Sequence, residues 1–358
     1  MSGETGKINI ITATQALPAK LFNSIAQSQH LKKIERELAK IETGLLAHLE
    51  FASPIAAAPA RYLAAAGGKR IRPLLALLVA ELGNGSTEAV QQVAQAIEIT
   101  HLASLYHDDV MDEAEMRRGV PAAHVTWNNS VAILAGDLLF ARASSIVAKL
   151  GQEAMLIQTA TFERLCLGQL HETVGPQNGE NEREFYLQVL ADKTGSLISG
   201  AIEMSVVVAE VPETLRAPLL EYAEAIGIAF QLIDDVIDLS PSKKDTGKRA
   251  GTDLRAGVIT LPLLLLREKS AAGGESAAAA VDLLARIETG VAAVADGADP
   301  AVMDAEVAEL RAHEVTGATE KLAREYAEKA VQALEALPVG RARDALAKLA
   351  TMIVEREG

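Results

Sequence analysis

The stretch LASLYHDDVMD, residues 102–112, places three carboxylates inside an otherwise apolar helical pattern. At about 100° per residue, Asp108 and Asp112 lie one turn apart on the same helix face, with Asp109 to one side. His101 and Ser104 share that face at helical steps. Unpaired carboxylates are costly in apolar surroundings, so three of them on this helix require either solvent or a cation.

The chain repeats this arrangement in FQLIDDVID, residues 230–238, where the carboxylates are Asp234, Asp235 and Asp238. Gln231 precedes them on the same face. One copy alone would fit a solvated acidic turn. Two near-identical copies on apolar helices favour a cation site instead.

The ligand types favour a hard cation. Mg²⁺ takes one or two protein carboxylates and leaves its remaining positions to water and phosphate oxygens. An EF-hand is excluded because its ligands alternate along a glycine-containing loop, and zinc is disfavoured because nitrogen and sulfur ligands are lacking. The sequence therefore predicts Mg²⁺ bound together with a phosphorylated substrate.

Basic residues lie close to both aspartate motifs in the sequence, as a phosphate ligand requires. GGKRIRP, residues 67–73, opens a predicted helix, where backbone N–H groups and the helix dipole also favour an anion. These residues and His101 together predict a diphosphate site. Its candidate members are Lys69, Arg70, Arg72, Arg117, Arg118, Lys193, Thr194, Lys243, Lys244, Lys248 and Arg249.

The composition predicts an all-α protein. Hydrophobic residues make up 49% of the 358 residues but aromatic residues only 3%, which favours a bundle of aliphatic helices. The net charge of -14 argues against a nucleic-acid partner. The single cysteine, Cys166, excludes an internal disulfide, suits a reducing compartment and is expected in a core. No signal peptide and no membrane-spanning apolar stretch is apparent, so a cytoplasmic protein is expected.

Helical periodicity begins at Ser28 and continues to the C-terminus without a linker. We therefore predict a flexible N-terminal arm over residues 1–25 and a single all-α domain over residues 26–358. A helix through residues 185–209 contains two glycines and is expected to bend. The chain is expected to close with an amphipathic helix over residues 318–336.

The motifs resemble those of the trans-isoprenyl (polyprenyl) diphosphate synthase family, most closely its long-chain members. The resemblance covers residues 60–265 and rests on five segments in the family's order: GGKRIRP, HDDVMDEAEMRRG, DKTGSL, FQLIDDVID and GKRAGTDL. It implies a large bundle of long, mostly antiparallel helices around a deep central cavity, in a homodimer. It also implies a prenyltransferase that joins isopentenyl diphosphate to an allylic diphosphate, with transient membrane contact compatible with its greasy product.

The resemblance also assigns roles to individual residues. All six aspartates of the two motifs would bind metal, in a cluster of three Mg²⁺ ions, with Asp108, Asp112, Asp234 and Lys193 acting in catalysis. Isopentenyl diphosphate would be held by Lys69, Arg72, His101 and Arg118. The allylic substrate would be surrounded by Arg117, Lys193, Thr194, Gln231 and Lys248. One departure is Val258, which stands where many members have a lysine.

The mechanism that follows is ionisation of the allylic diphosphate and alkylation of isopentenyl diphosphate by the carbocation. Ala103 and Ser104 lie about one turn below Asp108, where a bulky residue would stop the growing chain. Their small size predicts a product of about seven to ten isoprene units, suited to a quinone side chain, although small residues also serve helix packing. A geranylgeranyl product remains open if another helix provides the floor.

Three other functions share some of these features. A class I terpene cyclase shares the first motif but would carry a different second metal motif and an aromatic pocket. An HD-type metal phosphohydrolase would need more histidine ligands on neighbouring helices. A non-catalytic subunit of a two-protein synthase is disfavoured because both aspartate motifs are intact.

Overall fold

In the computed structural model of the chain, residues 28–240 and 249–356 are described. The predicted N-terminal arm over residues 1–25 lies outside the described residues. So do Lys243, Lys244 and Lys248.

The described chain is almost entirely helical, which confirms the predicted fold class. Two-residue strands, β1 (Met116–Arg117) and β2 (Val120–Pro121), form one antiparallel hairpin. The α-helices are α1 Ser28–His48, α2 Pro54–Ala65, α3 Ile71–Ala80, α4 Glu88–Met111, α5 Ala123–Thr126, α6 Asn129–Val147, α7 Gln152–Val174, α8 Glu182–Leu190, α9 Ser196–Val208, α10 Arg216–Asp238, α11 Thr252–Arg255, α12 Leu261–Ala271, α13 Glu275–Ala295, α14 Asp304–Ala312, α15 Glu314–Ala333 and α16 Arg341–Val354.

The residues group into two compact units, each built from separate stretches of the chain. Among the described residues, the first unit comprises 28–163, 197–220 and 334–348. The second comprises 164–196, 221–240, 249–333 and 349–356.

The first unit is built around α4, which packs against α1, α3 and α6. Thr87 caps its N-terminus by accepting a hydrogen bond from the Val90 N–H at 3.3 Å. Helix α3 is buried from Pro73 to its end at Ala80. This packing fixes the first aspartate motif, which forms the last turn of α4.

The second unit carries the second aspartate motif at the end of α10. Around that end, Leu232 and Ile233 pack with Leu261 and Leu264 of α12 in one buried cluster. A further cluster joins α12 to α13 and α14, and includes Leu266, Leu283 and Leu310. Burial of these leucines anchors the helix that presents the motif.

Several details differ from the sequence predictions. The expected bend in residues 185–209 is a π-helical segment, Ala191–Gly195, between α8 and α9. Helix α16 follows the amphipathic helix that was expected to close the chain, because its buried leucines supply one more packing face. Cys166 is exposed and not in a core, because it lies on the same exposed face of α7 as Leu170, one turn further along.

Helix α6 also departs from expectation. It is long and apolar enough to cross a membrane by length and composition, although no spanning stretch was predicted. Its exposed apolar side chains are Ile133, Leu134 and Leu138. Asp137 on the same helix is more than half exposed.

Candidate active site

The first aspartate motif presents its three carboxylates at three levels of burial. Asp109 is fully buried, Asp108 is half-buried and Asp112 is exposed at the C-terminus of α4. Arg117 holds Asp109 through two contacts to Oδ1, from Nε at 2.6 Å and from Nη2 at 2.5 Å. Among the described residues, Asp109 Oδ2 has no hydrogen-bond partner. Burial raises the pKa of Asp109, and Arg117 opposes that rise.

The hairpin after α4 aims two adjacent arginines in different directions. Arg118 and Gly119 occupy its turn with φ of 54° and 78°, as a type I′ turn requires. Arg117, on strand β1, reaches back to Asp109. Arg118 instead donates hydrogen bonds to the carbonyl oxygens of Gly67 and, at 3.2 Å, Leu63. The segment RRG therefore connects the aspartate motif to the glycine-rich start of α3.

Arginines gather at that start of α3. Arg70 has a φ of 50°, and its side chain is 2% exposed between Glu42 and Glu98. Arg70 therefore forms internal ion pairs with these two glutamates. Its place in GGKRIRP had suggested a direct phosphate ligand instead. Arg72 is partly buried and Lys69 is exposed.

Burial governs the protonation of this cluster. It lowers the pKa of Arg72 to about 10, and Glu98 opposes that shift. It also lowers the pKa of His101 well below its usual value, with Arg72 and Arg118 adding to the effect. His101 is therefore neutral at pH 7 before a substrate binds, and the positive charge lies on the arginines.

The second aspartate motif is held by different partners. Asp235 is buried, and its Oδ2 accepts hydrogen bonds from the Tyr186 hydroxyl at 2.6 Å and from the Leu261 N–H at 3.3 Å. Burial raises the pKa of Asp235 to about 8. Asp238 Oδ2 accepts a hydrogen bond from the Asp253 N–H at 3.1 Å.

Asp234, the first carboxylate of this motif, contacts Arg356 near the C-terminus. Asp234 Oδ1 lies 2.8 Å from Nη2 of Arg356. The Arg356 guanidinium also stacks on the Phe230 ring, 4.2 Å from its centroid. The π-face of Phe230 therefore contacts a side-chain cation, Arg356.

Lys193 and Thr194 lie in the π-helical segment. The π-helical segment packs closely against α7 at Gly168. A Cβ on Gly168 would lie only 2.7 Å from the Lys193 backbone nitrogen, so a larger residue would not fit. Asp192 is buried and paired with Arg164 at 2.5 Å. Lys193 forms an ion pair with Glu172. Such π segments often occur at functional sites because they turn side chains away from the regular helix direction.

The two residues predicted to set product length lie inside the first unit. Ala103 is fully buried, and Ser104 is 7% exposed with its hydroxyl donating to the His101 carbonyl at 2.9 Å. Helix α6 approaches closely here, since a Cβ on Gly136 would lie 3.2 Å from the Ala103 carbonyl oxygen. Helix packing therefore accounts for part of the preference for small residues.

The remaining predicted site residues are placed as follows. Thr194 and Gln231 are half-buried, whereas Val258 is 44% exposed. Lys248 lies outside the described residues. Within residues 28–240 and 249–356, no three His, Cys, Asp or Glu side chains are grouped closely enough to hold a metal ion by themselves.

Four residues that surround the candidate site were not predicted from the sequence. Glu98 had a readable signal, because it lies three residues before His101 on the aspartate face of an apolar helix. Glu42, Tyr186 and Arg356 had none, since each reaches its partner from a different helix or from the end of the chain.

Comparison with known proteins identifies the family. The family model for polyprenyl synthetase matches residues 53–282. The chain is 39% identical over 326 residues to nonaprenyl diphosphate synthase of Mycobacterium tuberculosis, covering 90% of this chain and 92% of that protein. It is 33% identical over 327 residues to octaprenyl diphosphate synthase of Haemophilus influenzae, covering 91% and 95%.

A solved structure gives the same answer. Polyprenyl synthase from Caulobacter crescentus, complexed with calcium and isoprenyl diphosphate, superposes with a TM-score of 0.81 at 31% identity. The match covers 92% of this chain and 97% of that one. The chain therefore belongs to the polyprenyl synthetase family, and the predicted prenyltransferase activity is confirmed.

Proposed function

We propose that this enzyme condenses isopentenyl diphosphate head-to-tail with an allylic diphosphate to give a long-chain all-trans polyprenyl diphosphate. The observation that carries this function is the pair of aspartate motifs, each ending a long helix, with a buried arginine cluster beside the first. Relatives named nonaprenyl diphosphate synthase, octaprenyl diphosphate synthase and heptaprenyl diphosphate synthase component 2 support a product of about seven to ten isoprene units. A quinone side chain is the use we propose for it.

The carboxylates fit a divalent metal. Asp108, Asp112 and Asp234 are at least partly accessible and supply the hard oxygen ligands that Mg²⁺ prefers. Among the described residues, Oδ2 of buried Asp109 has no hydrogen-bond partner and adds an acceptor beside Asp108 and Asp112. Bound Mg²⁺, which we propose as three ions, would neutralise charge on the departing diphosphate. Because no three side chains form a closed metal site in the described chain, oxygen ligands from the diphosphate complete the proposed coordination.

In the proposed reaction, isopentenyl diphosphate is bound by Lys69, Arg72, Arg118 and neutral His101. The allylic diphosphate is surrounded by Arg117, Lys193, Thr194, Gln231 and Lys248.

The reaction begins when the allylic C–O bond breaks and its electron pair leaves with the diphosphate. The double bond of isopentenyl diphosphate then attacks the allylic carbocation, and a proton is lost to regenerate an allylic double bond. The departing diphosphate is the proposed proton acceptor. Exclusion of water protects the carbocation.

Product length depends on the side chains one turn below Asp108. Small Ala103 and Ser104 below Asp108 favour continued elongation. The competing product is geranylgeranyl diphosphate, because Leu105 is partly buried on the same face as Asp108 and offers a bulkier side chain at that level. Substitution of Ser104 by Phe is expected to shorten the product, because the larger side chain would block the growing prenyl chain one turn below Asp108.

We also propose that the chain acts as a homodimer and as one all-α domain over residues 26–358. The exposed face of α6, formed by Ile133, Leu134 and Leu138, supplies the apolar surface for a second copy. Asp137 on the same helix favours an aqueous interface over a membrane span. A cytoplasmic location, with transient membrane contact on product release, completes the proposal.

The test is incubation of the protein with Mg²⁺, radiolabelled isopentenyl diphosphate and farnesyl diphosphate, followed by dephosphorylation and sizing of the products. A ladder ending at about seven or more isoprene units is expected from the relatives' names. Products that stop at geranylgeranyl would place the floor at Leu105 or on another helix. Lack of incorporation with every allylic primer would overturn the proposed function.

A further inference from the structure

Glu98 lies at the centre of the arginine cluster, and the reaction described above gives it no role. It is 2% exposed on α4 and occupies the same face as His101 and Asp108, at helical steps of three and four residues. A buried carboxylate in an apolar helix is unfavourable unless it is paired. Its surroundings therefore indicate what it holds.

Arg70 is the direct partner of Glu98, but Arg70 does not need it for charge balance. Arg70 Nη1 lies 2.8 Å from Glu98 Oε1. Arg70 also forms a bidentate pair with Glu42, in which Nε lies 2.7 Å from Oε2 and Nη2 lies 2.7 Å from Oε1. Glu42 therefore matches the charge of Arg70, and the charge of Glu98 is left for other cations.

Those cations are Arg72 and Arg118. Burial lowers the pKa of each, and in both cases Glu98 is the strongest opposing charge. A Cβ on Gly68 would lie 3.0 Å from Arg70 Nη1 and 3.2 Å from Arg118 Nη1, so these guanidinium groups are packed close together. Three guanidinium groups and two carboxylates leave one net positive charge while His101 is neutral.

The cluster also has unused donor capacity. Nε of Arg72 is buried and, among the described residues, has no hydrogen-bond partner. Arg70 and Arg118 both adopt a left-handed backbone conformation, which is unfavourable for arginine and is found mainly where the surrounding structure enforces it. The cluster is therefore held in place before any ligand arrives, and Arg72 Nε is a donor in it that no described residue satisfies.

We propose that Glu98 is a positioning residue, the internal counter-ion that holds Arg72 and Arg118 together while the diphosphate site is empty. When the anionic substrate binds, its phosphate oxygens share these arginines with Glu98. This role rests on the proposed function, because it requires the arginine cluster to bind a diphosphate.

The test compares thermal unfolding of the wild type, Glu98→Gln and Glu42→Gln with and without inorganic pyrophosphate, in EDTA to keep metal away from the aspartates. Glu98→Gln removes the counter-ion, so we expect its melting temperature without ligand to fall by about 5 °C or more. Pyrophosphate replaces the lost charge, so it should bind about tenfold more tightly than to the wild type and recover most of the deficit.

Glu42→Gln is the matched control. It removes the same charge from the same arginine, but Arg70 is 2% exposed and its nitrogens are already used, so pyrophosphate cannot replace Glu42. The stability that this variant loses should therefore persist in pyrophosphate. If Glu98→Gln does not fold without an anion, we expect it to be recovered folded when pyrophosphate is present during lysis.

The outcomes separate the two proposals. A wild-type protein that pyrophosphate does not stabilise would overturn the placement of the diphosphate on this cluster. Stabilisation of the wild type, with Glu98→Gln gaining no more than Glu42→Gln, would overturn only the counter-ion role of Glu98. Failure to recover Glu98→Gln even with pyrophosphate present would also contradict that role.

Discussion

The two aspartate motifs have nearly the same sequence, yet the fold secures their middle carboxylates in different ways. Asp109 is buried against a cation, Arg117, whereas Asp235 is buried against a neutral hydroxyl, Tyr186, and a backbone N–H. Burial raises the pKa of both, to about 8 for Asp235. A repeated sequence motif thus fixes the positions of the carboxylates but not their ionisation.

The difference has a physical consequence for each motif. An ion pair keeps its carboxylate charged and makes each partner depend strongly on the other. A hydroxyl partner permits the carboxylate to bind a proton at neutral pH. In the metal-free protein, therefore, we expect the first motif to be more negative than the second.

The largest effects should come from the accessible first aspartates. We expect Asp108→Ala and Asp234→Ala each to lower kcat by about 10²–10³-fold, because each removes charge stabilisation from the departing diphosphate. Steady-state assays at saturating Mg²⁺ measure this. Asp296→Asn, at an exposed position, is the control and should change little. Full activity in either alanine variant would contradict the metal role of that motif.

Removal of Arg117 should be the next largest effect. We expect Arg117→Met to lower the free energy of unfolding by about 3 kcal/mol, because it leaves Asp109 buried without its cation. The matched change in the second motif, Tyr186→Phe, should cost only about 1 kcal/mol, the value of one hydrogen bond. Urea unfolding in EDTA compares the two. Equal losses of unfolding free energy in Arg117→Met and Tyr186→Phe would show that the two motifs depend equally on these partners.

The pKa of Asp235 predicts how stability depends on pH. Its native pKa of about 8 exceeds its ordinary value of 3.8, so the folded state binds the proton more tightly. Its contribution to stability is complete below about pH 4 and is lost as the pH rises through about 8, at no more than about 1.4 kcal/mol per pH unit. Urea unfolding of wild type and Asp235→Asn at pH 5 and 8 tests this. A pH dependence that is unchanged in the variant would contradict the assignment.

The smallest effect should come from the C-terminal arginine. Asp234 is 39% exposed, so we expect Arg356→Met to change stability by less than about 1 kcal/mol. Because Arg356 neutralises a proposed metal ligand, its removal should lower the Mg²⁺ concentration needed for half-maximal activity. Lys321→Met, which breaks an exposed ion pair elsewhere, is the control. An unchanged Mg²⁺ requirement would show that Arg356 does not compete with the metal.

Much of the molecule could be predicted from sequence because the relevant signals are local. Helical spacing identified α1, α4 and α10, and the same spacing placed Asp108 and Asp112 on one face. Thr87 could be recognised as a cap because side-chain capping depends on neighbouring residues alone.

Other features escaped because they depend on contacts between distant segments. GGKRIRP identified Arg70 as basic, but Glu42 and Glu98 make it an internal ion pair. Cys166 was expected in a core because cysteine is usually buried, yet its helix leaves it exposed. The π-helical segment around Lys193 depends on the close approach of Gly168 from α7.

The helical class, the two aspartate motifs and the prenyltransferase family can be read from the residues alone, because each follows from residue types at fixed spacings. Which carboxylates and arginines are available to a ligand depends on the packing of the folded chain. Asp109, Asp235 and Arg70 are buried with partners from other segments, whereas Asp112 and Lys69 remain exposed. Burial and pairing set the charge of an ionisable group, and both arise from packing between segments far apart in the chain.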